Sequence, residues 1–373
     1  MEEKDTNEVP ENGKNRFWNS KTAKICAVVL VIVLVLTLVI LGVVKHYLGR
    51  IDRYDAEDDY TMSEEEIRRM EEEVIRQEQE EALQNQTEKT TQTSEQTEEP
   101  TPPPTDETAA PTEETLPPAD DDGESKVVNI LLIGQDHRET EERAQSDSMI
   151  LCTIDKDKNT VTMTSFMRDL YVQIPGYKDN RLNAAYPIGG MKLLDKTLEV
   201  NFGVEVDANV EVDFAGFEAV VEAMGGVDIE MTQAEVDHLA DFYDYHHLVA
   251  GVNHLNGEEA LAYSRIRYID SDFNRTGRQR AVLTSLIESI RDAELSQMLS
   301  LMDSILPLIK TDMTDSQILS YVMKFFPMLS NCEIIAQRIP LDGGYEYAQE
   351  RGMSVIKAFP NMTRRFLKET IGR

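Results

Sequence analysis

An uncharged run of 20 residues, 25–44, sets the first constraint on how this chain can fold. A helical run of this length crosses the hydrocarbon core of a bilayer. Four basic residues precede it: Lys14, Arg16, Lys21 and Lys24. Because basic flanks stay on the cytoplasmic side, we expect a cytoplasmic tail over 1–24, a single transmembrane helix over 25–44 and the remaining chain outside the cell membrane. A cleaved signal peptide is the alternative, but no small-x-small cleavage site follows the run.

The next segment, 45–125, is acidic and contains few large apolar residues. Between positions 51 and 125 the chain has 26 acidic and 5 basic residues, so this stretch holds most of the formal net charge of −32. Residues 62–86 predict a solvated helical stalk. Their apolar residues at helical spacing are Ile67, Met70 and Val74. Residues 87–122 consist mainly of Thr, Glu and Pro and predict a disordered linker, because they cannot bury a core.

Globular sequence begins at residue 126 and continues to 373. Apolar runs bounded by glycine or polar residues predict strands, and amphipathic runs predict helices. The predicted strands are 127–134, 149–154, 160–165, 206–212, 227–229 and 334–338, and the predicted helices are 191–200, 214–224, 256–261 and one beginning near Asn274. This alternation predicts an α/β domain with a core over about 127–292 and a helical C-terminal extension over 293–373.

Four arginines lie within 14 residues of this acidic chain: Arg265, Arg267, Arg275 and Arg278. A guanidinium group offers planar, paired donors that match the oxygens of a phosphate. On a helix that begins near Asn274, Arg275, Arg278 and Gln279 share one face. Arginines in a first turn oppose the helix dipole unless an anion lies there. The cluster therefore predicts a polyanion site, and surface salt bridges with neighbouring acidic residues are the alternative.

Two aspartates follow or open neighbouring strands, where ligand sites of α/β sheets form. Asp136 comes directly after the first strand, and Asp147 opens the second. Two such carboxylates make a reasonable pair of ligands for Mg²⁺, with Mn²⁺ as the alternative ion, together with water and substrate phosphate oxygens. A turn or a helix cap would explain either aspartate equally well.

Further charged residues follow the third strand. Arg168 and Asp169 end that strand, and Arg181 follows with a group of polar residues. A structural ion pair between Arg168 and Asp169 is the alternative to a role in a site. The sequence has no G-x-S-x-G element, P-loop or Rossmann glycine pattern. It therefore has no motif for a serine nucleophile or for nucleotide binding. The three cysteines predict no disulfide framework and suit a Gram-positive envelope.

Several segments together resemble the LytR-CpsA-Psr family of envelope phosphotransferases. In chain order they are 129–136, 146–149, 165–169, 181–186, 225–227, 255–261, 263–267 and 275–279. Three positions depart from the family pattern: Phe166-Met167 replaces Ile-Pro, Arg181-Leu182 replaces Lys-Ile, and Asn274 replaces a glycine. The positive charge at 181 is kept, although arginine and lysine differ in hydrogen-bond geometry.

The resemblance implies a mixed central β-sheet flanked by helices, and a transferase of cell-wall biogenesis. Its donor would be an anionic glycopolymer (teichoic acid, capsule or similar) on a polyprenyl-pyrophosphate carrier, and its acceptor would be peptidoglycan. Residues implied to be catalytic are Arg168, Asp169, Arg265, Arg267 and Asp272, with Asp169 and Asp272 as candidate bases. Residues implied to bind substrate are Arg181, Arg275, Arg278 and Gln279, and Asp136 and Asp147 would hold Mg²⁺.

Two other functions would use the same site. One is a membrane-tethered, non-catalytic binder of polyprenyl phosphates, and the other is a pyrophosphate hydrolase. A binder needs the arginines but has less use for a metal, so the two aspartates favour an enzyme. We expect no nucleic-acid partner, because the globular domain is predicted to lie outside the membrane.

Overall fold

The computed structural model describes residues 45–54, 61–91, 127–135, 146–267, 269, 272–291, 304–328 and 330–372, with the backbone alone at 81–91, 290 and 326. The chain forms two compact units, Met1–Ile51 and Asp52–Arg373. In the first unit, residues 45–48 form one helical turn. The predicted transmembrane helix, the tail before it, most of the linker and Asp136 lie outside the described residues. Within the described part of the chain, no helix is both long and apolar enough to span a bilayer.

The second unit is a mixed α/β domain. Its strands are β1 (Asp52–Arg53), β2 (Val127–Gln135), β3 (Ser146–Asp155), β4 (Thr160–Phe166), β5 (Tyr171–Val172), β6 (Asn180–Arg181), β7 (Ala208–Asp213), β8 (Val227–Met231), β9 (Gly251–Leu255), β10 (Lys310–Thr311), β11 (Glu333–Ile339), β12 (Tyr345–Glu350) and β13 (Met353–Ala358). Its longer helices are α1 (Glu64–Thr91), α2 (Ala185–Phe202), α3 (Phe214–Ala223), α4 (Gln233–Tyr243), α5 (Gly257–Arg265), α6 (Asp272–Arg291), α7 (Asp315–Phe325) and α8 (Pro360–Ile371).

Seven of these strands form the central sheet, in the order β1-β10-β7-β2-β3-β4-β11. Strands β2, β3 and β4 are antiparallel neighbours, whereas β7 runs parallel to β2 and β11 runs parallel to β4. The predicted α/β class and mixed sheet are confirmed. The remaining strands form three antiparallel hairpins or pairs: β5–β6, β8–β9 and β12–β13.

The two faces of the sheet have different roles because side chains alternate along a strand. On β2, Leu131 and Ile133 are buried in the main core with α2 and α8. Leu132 and Gly134 alternate with them along the strand and line a cavity. Beyond that cavity a second core joins α3, α4, α5, α6 and the β8–β9 hairpin. The site described below therefore lies between the sheet and the second core.

Local signals position the helix that leads into the site. Asn256 caps α5 and accepts a hydrogen bond from the backbone N–H of Glu259, whose carboxylate accepts one from the backbone N–H of Asn256. This is the capping box predicted from the sequence. A Cβ atom at Gly257 would lie 2.3 Å from the carbonyl oxygen of Glu218 on α3. Glycine thus allows α5 to begin against α3, and the helix ends at Arg265.

Two expectations about the flanking regions need correction. The C-terminal extension contains the predicted strand at 334–338 as β11, but it is less helical than expected, because residues 304–372 also form β10 and the β12–β13 hairpin besides α7 and α8. The stalk is helical as predicted, over Glu64–Thr91, but one side of it packs on the domain and is not solvated. Val74 is buried against Met353 and Val355 of β13, and Ile67 packs on the main core.

Charged contacts also hold α1 against the domain. The carboxylate of Glu71 contacts Arg351 and accepts a hydrogen bond from the side-chain amide of Asn180. The carboxylate of Glu78 lies 3.0 Å from Arg181 and accepts a hydrogen bond from the backbone N–H of Ser354. The acidic residues that made this helix resemble a solvated stalk are therefore partly used to fix it.

Candidate active site

An apolar cavity of about 450 Å³ lies between the central sheet and helices α3, α5 and α6. Its apolar lining residues include Leu132, Ile150, Val210, Val212, Phe214, Phe217, Val220, Leu261, Leu283 and Leu286. Its polar lining residues include Asp147, Ser148, Ser264, Arg265, Arg267, Arg275 and Gln279. Pockets of this size take drug-sized ligands, and this lining suits a molecule with a long apolar part and an anionic group.

The predicted arginine segment lies at this cavity. Arg265 is the last residue of α5, Ile266 is buried after it, and Arg267 follows. Both arginines line the cavity. The guanidinium carbon of Arg265 lies 4.5 Å from the ring centre of Phe214, which also lines the cavity. Such stacking fixes the guanidinium plane while leaving its edges available for hydrogen bonds.

Arg275 is the cation with the strongest need for an anion. It is only 2% exposed and lines the cavity. One Nη atom lies 3.1 Å from the Asp272 carboxylate, but Nε and the other Nη have no hydrogen-bond partner among the residues that the structure describes. Burial lowers the pKa of Arg275 to about 10, and the nearby charge of Arg168 adds to this effect. A buried cation with unpaired donors is costly unless a ligand completes its hydrogen bonds.

A chain of ion pairs extends from the cavity towards α1. The Asp147 carboxylate lies 2.9 Å from Arg168 and 3.6 Å from Arg267. Arg168 also lies 3.6 Å from Asp169, and Asp169 lies 3.0 Å from Arg181. The structure thus brings these predicted residues together.

The charges in this chain fix the protonation of Asp147 and Arg168. Burial alone would raise the pKa of Asp147, but Arg168, Arg267 and Arg275 outweigh it and hold that pKa below its ordinary value. Burial would lower the pKa of Arg168, yet Asp169, Asp147 and Asp272 raise it overall. Both groups are therefore charged near neutral pH.

A local irregularity in the sheet directs Asp147 towards the cavity. The pairing of β2 with β3 runs from Gly134 opposite Ser148 to Gln135 opposite Ser146, so Asp147 has no partner residue. A bulge of this kind redirects a side chain, and bulges are frequent beside active sites. The carboxylate thereby lies among the arginines instead of following the ordinary alternation of β3.

Arg278 has a different environment from Arg275, although the two share a helix. Its Nε atom lies 2.7 Å from the Glu235 carboxylate, and Nη1 donates to the carbonyl oxygen of Ile266 at 2.9 Å. The side chain is buried and is not among the residues that line the cavity. We therefore reassign Arg278 from substrate binding to positioning, because it anchors the segment that carries Arg265 and Arg267.

Gln279 and Asp272 belong to the same helix, α6. Gln279 lines the cavity, and its side-chain oxygen accepts a hydrogen bond from the Ser148 hydroxyl at 3.2 Å. Asp272 begins α6 and pairs with Arg275. Sequence reasoning missed Phe214 and Tyr243 in the cavity wall. Tyr243 ends α4, a helix that was not predicted, although Thr232 and Glu235 form a capping box that could have indicated it.

Of the two predicted magnesium ligands, only Asp147 lies among the described residues. No group of three or more potential ligands from His, Cys, Asp and Glu occurs in that part of the chain. Mg²⁺ nevertheless needs only one or two carboxylates when water and phosphate oxygens complete its shell. The ionised Asp147 carboxylate at the cavity is therefore compatible with the ion, and Asp136 stays a predicted ligand.

The fold and the site define an α/β protein built to bind an amphiphile with an anionic group. The chain belongs to the LytR_cpsA_psr family, which it matches over residues 72–357. It is similar to the polyisoprenyl-teichoic acid–peptidoglycan teichoic acid transferase TagU of Bacillus cereus, with 36% identity over 225 residues that cover 59% of this chain and 70% of TagU.

Solved structures of related proteins show the same fold. The crystal structure of TagT from Bacillus subtilis is 26% identical, with a TM-score of 0.55 over 68% of this chain and 95% of TagT. A structure of TagT bound to LIIa-WTA is likewise 26% identical, with a TM-score of 0.56 over 66% of this chain and 92% of that one.

Proposed function

We propose that this protein transfers an anionic glycopolymer, such as teichoic acid or capsule, from a polyprenyl-pyrophosphate carrier to peptidoglycan. The curated relative TagU bears the name of a teichoic acid transferase that acts between a polyisoprenyl carrier and peptidoglycan. Family membership and the shared fold support an enzyme of this type here. The product would be a phosphodiester between the polymer and the peptidoglycan.

One observation carries the proposal: Arg275 lines the apolar cavity, and two of its buried donor atoms have no hydrogen-bond partner among the described residues. The polyprenyl chain would occupy the apolar part. The pyrophosphate would contact Arg265, Arg267 and Arg275, which lie at the polar part of the cavity. A free phosphate would satisfy the arginines but would leave the apolar lining unused. The lipid-linked pyrophosphate accounts for both halves of the site.

The reaction needs charge neutralisation and positioning more than a nucleophilic side chain. The acceptor hydroxyl oxygen attacks the phosphorus atom that carries the polymer, and a new P–O bond forms. The bond from that phosphorus to the bridging oxygen breaks, and polyprenyl phosphate leaves with the electron pair. Arg267 and Arg275 stabilise the charge that develops on the phosphate oxygens. The hydroxyl proton passes to a carboxylate, for which Asp169 and Asp272 are the candidates.

Asp147, with Asp136 as the second predicted ligand, would hold Mg²⁺ beside the arginines. When bound, the ion would supply a further positive charge for the phosphate oxygens. The contacts of Asp147 with Arg168 and Arg267 have a separate effect, because they orient both guanidinium groups whether or not the ion is bound.

The proposed site must meet substrates that lie in or on a membrane. We propose that residues 25–44 form a single membrane anchor with the N-terminus in the cytoplasm, which leaves the domain in the envelope beside both substrates. The support is the uncharged run of 20 residues and the basic residues before it. Protease added to intact protoplasts should then remove the domain while the N-terminal tail stays protected. A secreted form that begins after residue 44 would refute the anchor.

The function is tested with full-length protein in detergent, a short-chain polyprenyl-pyrophosphate glycopolymer and peptidoglycan strands. Arg267→Ala should lower the transfer rate by at least about 100-fold, the order expected for the loss of one strong transition-state contact. Arg267→Lys should recover only part of the rate, because an ammonium group cannot reproduce the paired donors. Normal transfer by Arg267→Ala would overturn the site.

Product analysis separates the proposed transfer from the two other functions. Polymer joined to peptidoglycan identifies a transferase, and free polymer phosphate at equal yield identifies a hydrolase. Donor binding without either product identifies a binder. Melting curves measured in parallel show whether each variant is folded.

A further inference from the structure

A second, smaller cavity shares the Asp169 and Asp272 carboxylates with the arginine cluster. Its volume is about 110 Å³, and its lining residues are Met167, Asp169, Asp272, Phe273, Tyr347, Ser354, Val355 and Ile356. Most of the lining comes from the first turn of α6 and from the β12–β13 hairpin. That hairpin was not predicted from the sequence.

A row of aromatic rings leads from this cavity to the surface. The rings of Phe273 and Tyr345 have centres 5.1 Å apart, and those of Tyr345 and Tyr347 have centres 5.5 Å apart at 89°. Tyr347 is 70% exposed, although large side chains are usually better covered. An exposed aromatic ring at the edge of a cavity is a common feature of binding sites, since one surface offers an apolar face and a hydroxyl.

The two cavities differ in their charged lining, since the large one combines three arginines with Asp147 and Asp213. Among the described residues that line the small cavity there are two carboxylates and no basic side chain. Carboxylates repel a phosphate but accept hydrogen bonds from hydroxyl groups. The small cavity therefore selects a neutral, hydroxyl-bearing ligand, whereas the large cavity selects an anionic amphiphile.

The two cavities meet at ion pairs. Asp272 lies 3.1 Å from Arg275, which lines the large cavity, and it also lines the small one. Asp169 likewise lines the small cavity and contacts Arg168 and Arg181. A hydroxyl group in the small cavity would thus contact the Asp272 carboxylate. Arg275, which pairs with that carboxylate, would contact the donor pyrophosphate. This is the arrangement required for a hydroxyl that loses its proton while it attacks the phosphate.

We propose that the small cavity and Tyr347 form the acceptor subsite, which binds one sugar of a peptidoglycan strand. This inference rests on the proposed function and adds the place where the acceptor binds. A cavity of about 110 Å³ is well below the roughly 300–1,000 Å³ of sites that enclose a small molecule. It therefore holds the hydroxyl-bearing edge of the sugar, and the apolar face of the ring stacks on exposed Tyr347.

Tyr347→Ala in the full-length protein tests this subsite. The KM for peptidoglycan strands should rise by about 10-fold, which equals about 1.4 kcal/mol and lies within the range of a ring contact beyond its buried area. The dissociation constant of the short-chain polyprenyl-pyrophosphate donor should stay unchanged. Tyr347→Phe should keep most of the acceptor affinity, because it retains the ring. Phe242→Ala is the matched control, since Phe242 is 65% exposed and is not among the residues that line either cavity.

Each outcome bears on one claim. An unchanged KM for Tyr347→Ala, or an equal loss of donor affinity, would overturn the acceptor subsite while leaving the transferase intact. If the wild-type protein formed no product, the proposed function would fail instead. The subsite would then be tested without the donor, by titrating an uncrosslinked peptidoglycan fragment into wild type and Tyr347→Ala. Equal binding of the fragment by both proteins would also overturn the subsite.

Discussion

Arg181, which lies beneath α1, and Arg275, which lies at the large cavity, are both buried, but their partners differ. Arg351 contacts Glu71, and Arg181 contacts Glu78 and Asp169. At the cavity, two donor atoms of Arg275 have no partner among the described residues. The arginines beneath α1 stabilise the fold, whereas Arg275 has donors available for a ligand.

The difference has an energetic consequence. Removing one partner of a buried ion pair leaves an uncompensated charge and costs stability. Removing a cation whose donors are already unpaired relieves a cost instead, because that charge was desolvated without full compensation. Variants of the first group should therefore lose more stability than activity. Variants of the second group should lose more activity than stability.

Asp147→Ala should have the largest effect on activity. We expect transfer to fall by at least about 100-fold, because Arg168 and Arg267 lose their common partner and the proposed ion loses a ligand. The remaining rate should no longer respond to Mg²⁺, which is measured by titrating the ion after chelation. Asp315→Ala, whose carboxylate pairs with Arg53, is the control and should respond like the wild type. A variant that kept normal Mg²⁺ dependence would remove Asp147 from the metal site.

Val74→Asp should have the largest effect on stability outside the site. Val74 is buried against the β12–β13 hairpin, and a carboxylate there would be desolvated without a partner. We expect a loss of at least about 3 kcal/mol, measured as the free energy of unfolding in denaturant. Glu72→Ala, on the exposed side of the same helix, should change it by less than about 1 kcal/mol. Equal stability of both variants would show that α1 is the solvated stalk predicted from sequence.

The contrast between these regions also marks what the sequence could predict. The capping box of α5, the strands that end at the site and the arginines around 265–267 follow from local patterns, and the structure contains them. The docking of α1 does not follow, because its partner is a hairpin about 280 residues away in the chain. Three apolar positions among many acidic ones are compatible with either a free or a docked helix.

Arg278 shows a second limit of local reasoning. Spacing alone puts Arg275, Arg278 and Gln279 on one helical face, yet Arg275 and Gln279 line the cavity and Arg278 contacts Glu235. The position of the Arg278 side chain depends on α4, a helix that carries Glu235 and was not predicted. The β-bulge at Asp147 is likewise a property of strand pairing that spacing along one strand does not indicate.

Asp195 is a third case: its carboxyl group lies away from both cavities and is only partly hydrogen-bonded. Burial raises the pKa of this carboxyl to about 7, the hydrogen bond from Asn209 opposes the rise, and nearby Asp312 adds to it. Because the folded state holds this proton more tightly than the unfolded state, the contribution of Asp195 to stability is greatest below about pH 4 and is lost as pH rises from about 4 to 7.

Asp195→Asn should therefore be more stable than the wild type at pH 8, by at least about 1.4 kcal/mol, which equals one pKa unit. The advantage should shrink towards pH 4, as measured by denaturant unfolding at several pH values. Activity should not change, since Asp195 is not among the residues that line either cavity. A constant difference across pH would contradict the assignment of this titration to Asp195.

The most direct test of the central claim is the affinity of Arg275→Ala for a short-chain polyprenyl pyrophosphate, measured by calorimetry beside a melting curve. Arg278→Ala is the matched variant, because both residues are buried arginines of α6. For Arg275→Ala we predict binding weakened by at least about 100-fold, with an unchanged or higher melting temperature. For Arg278→Ala we predict a stability loss of about 3–5 kcal/mol and a smaller loss of affinity. Wild-type affinity together with a lowered melting temperature in Arg275→Ala would show that this arginine is structural and would contradict the account.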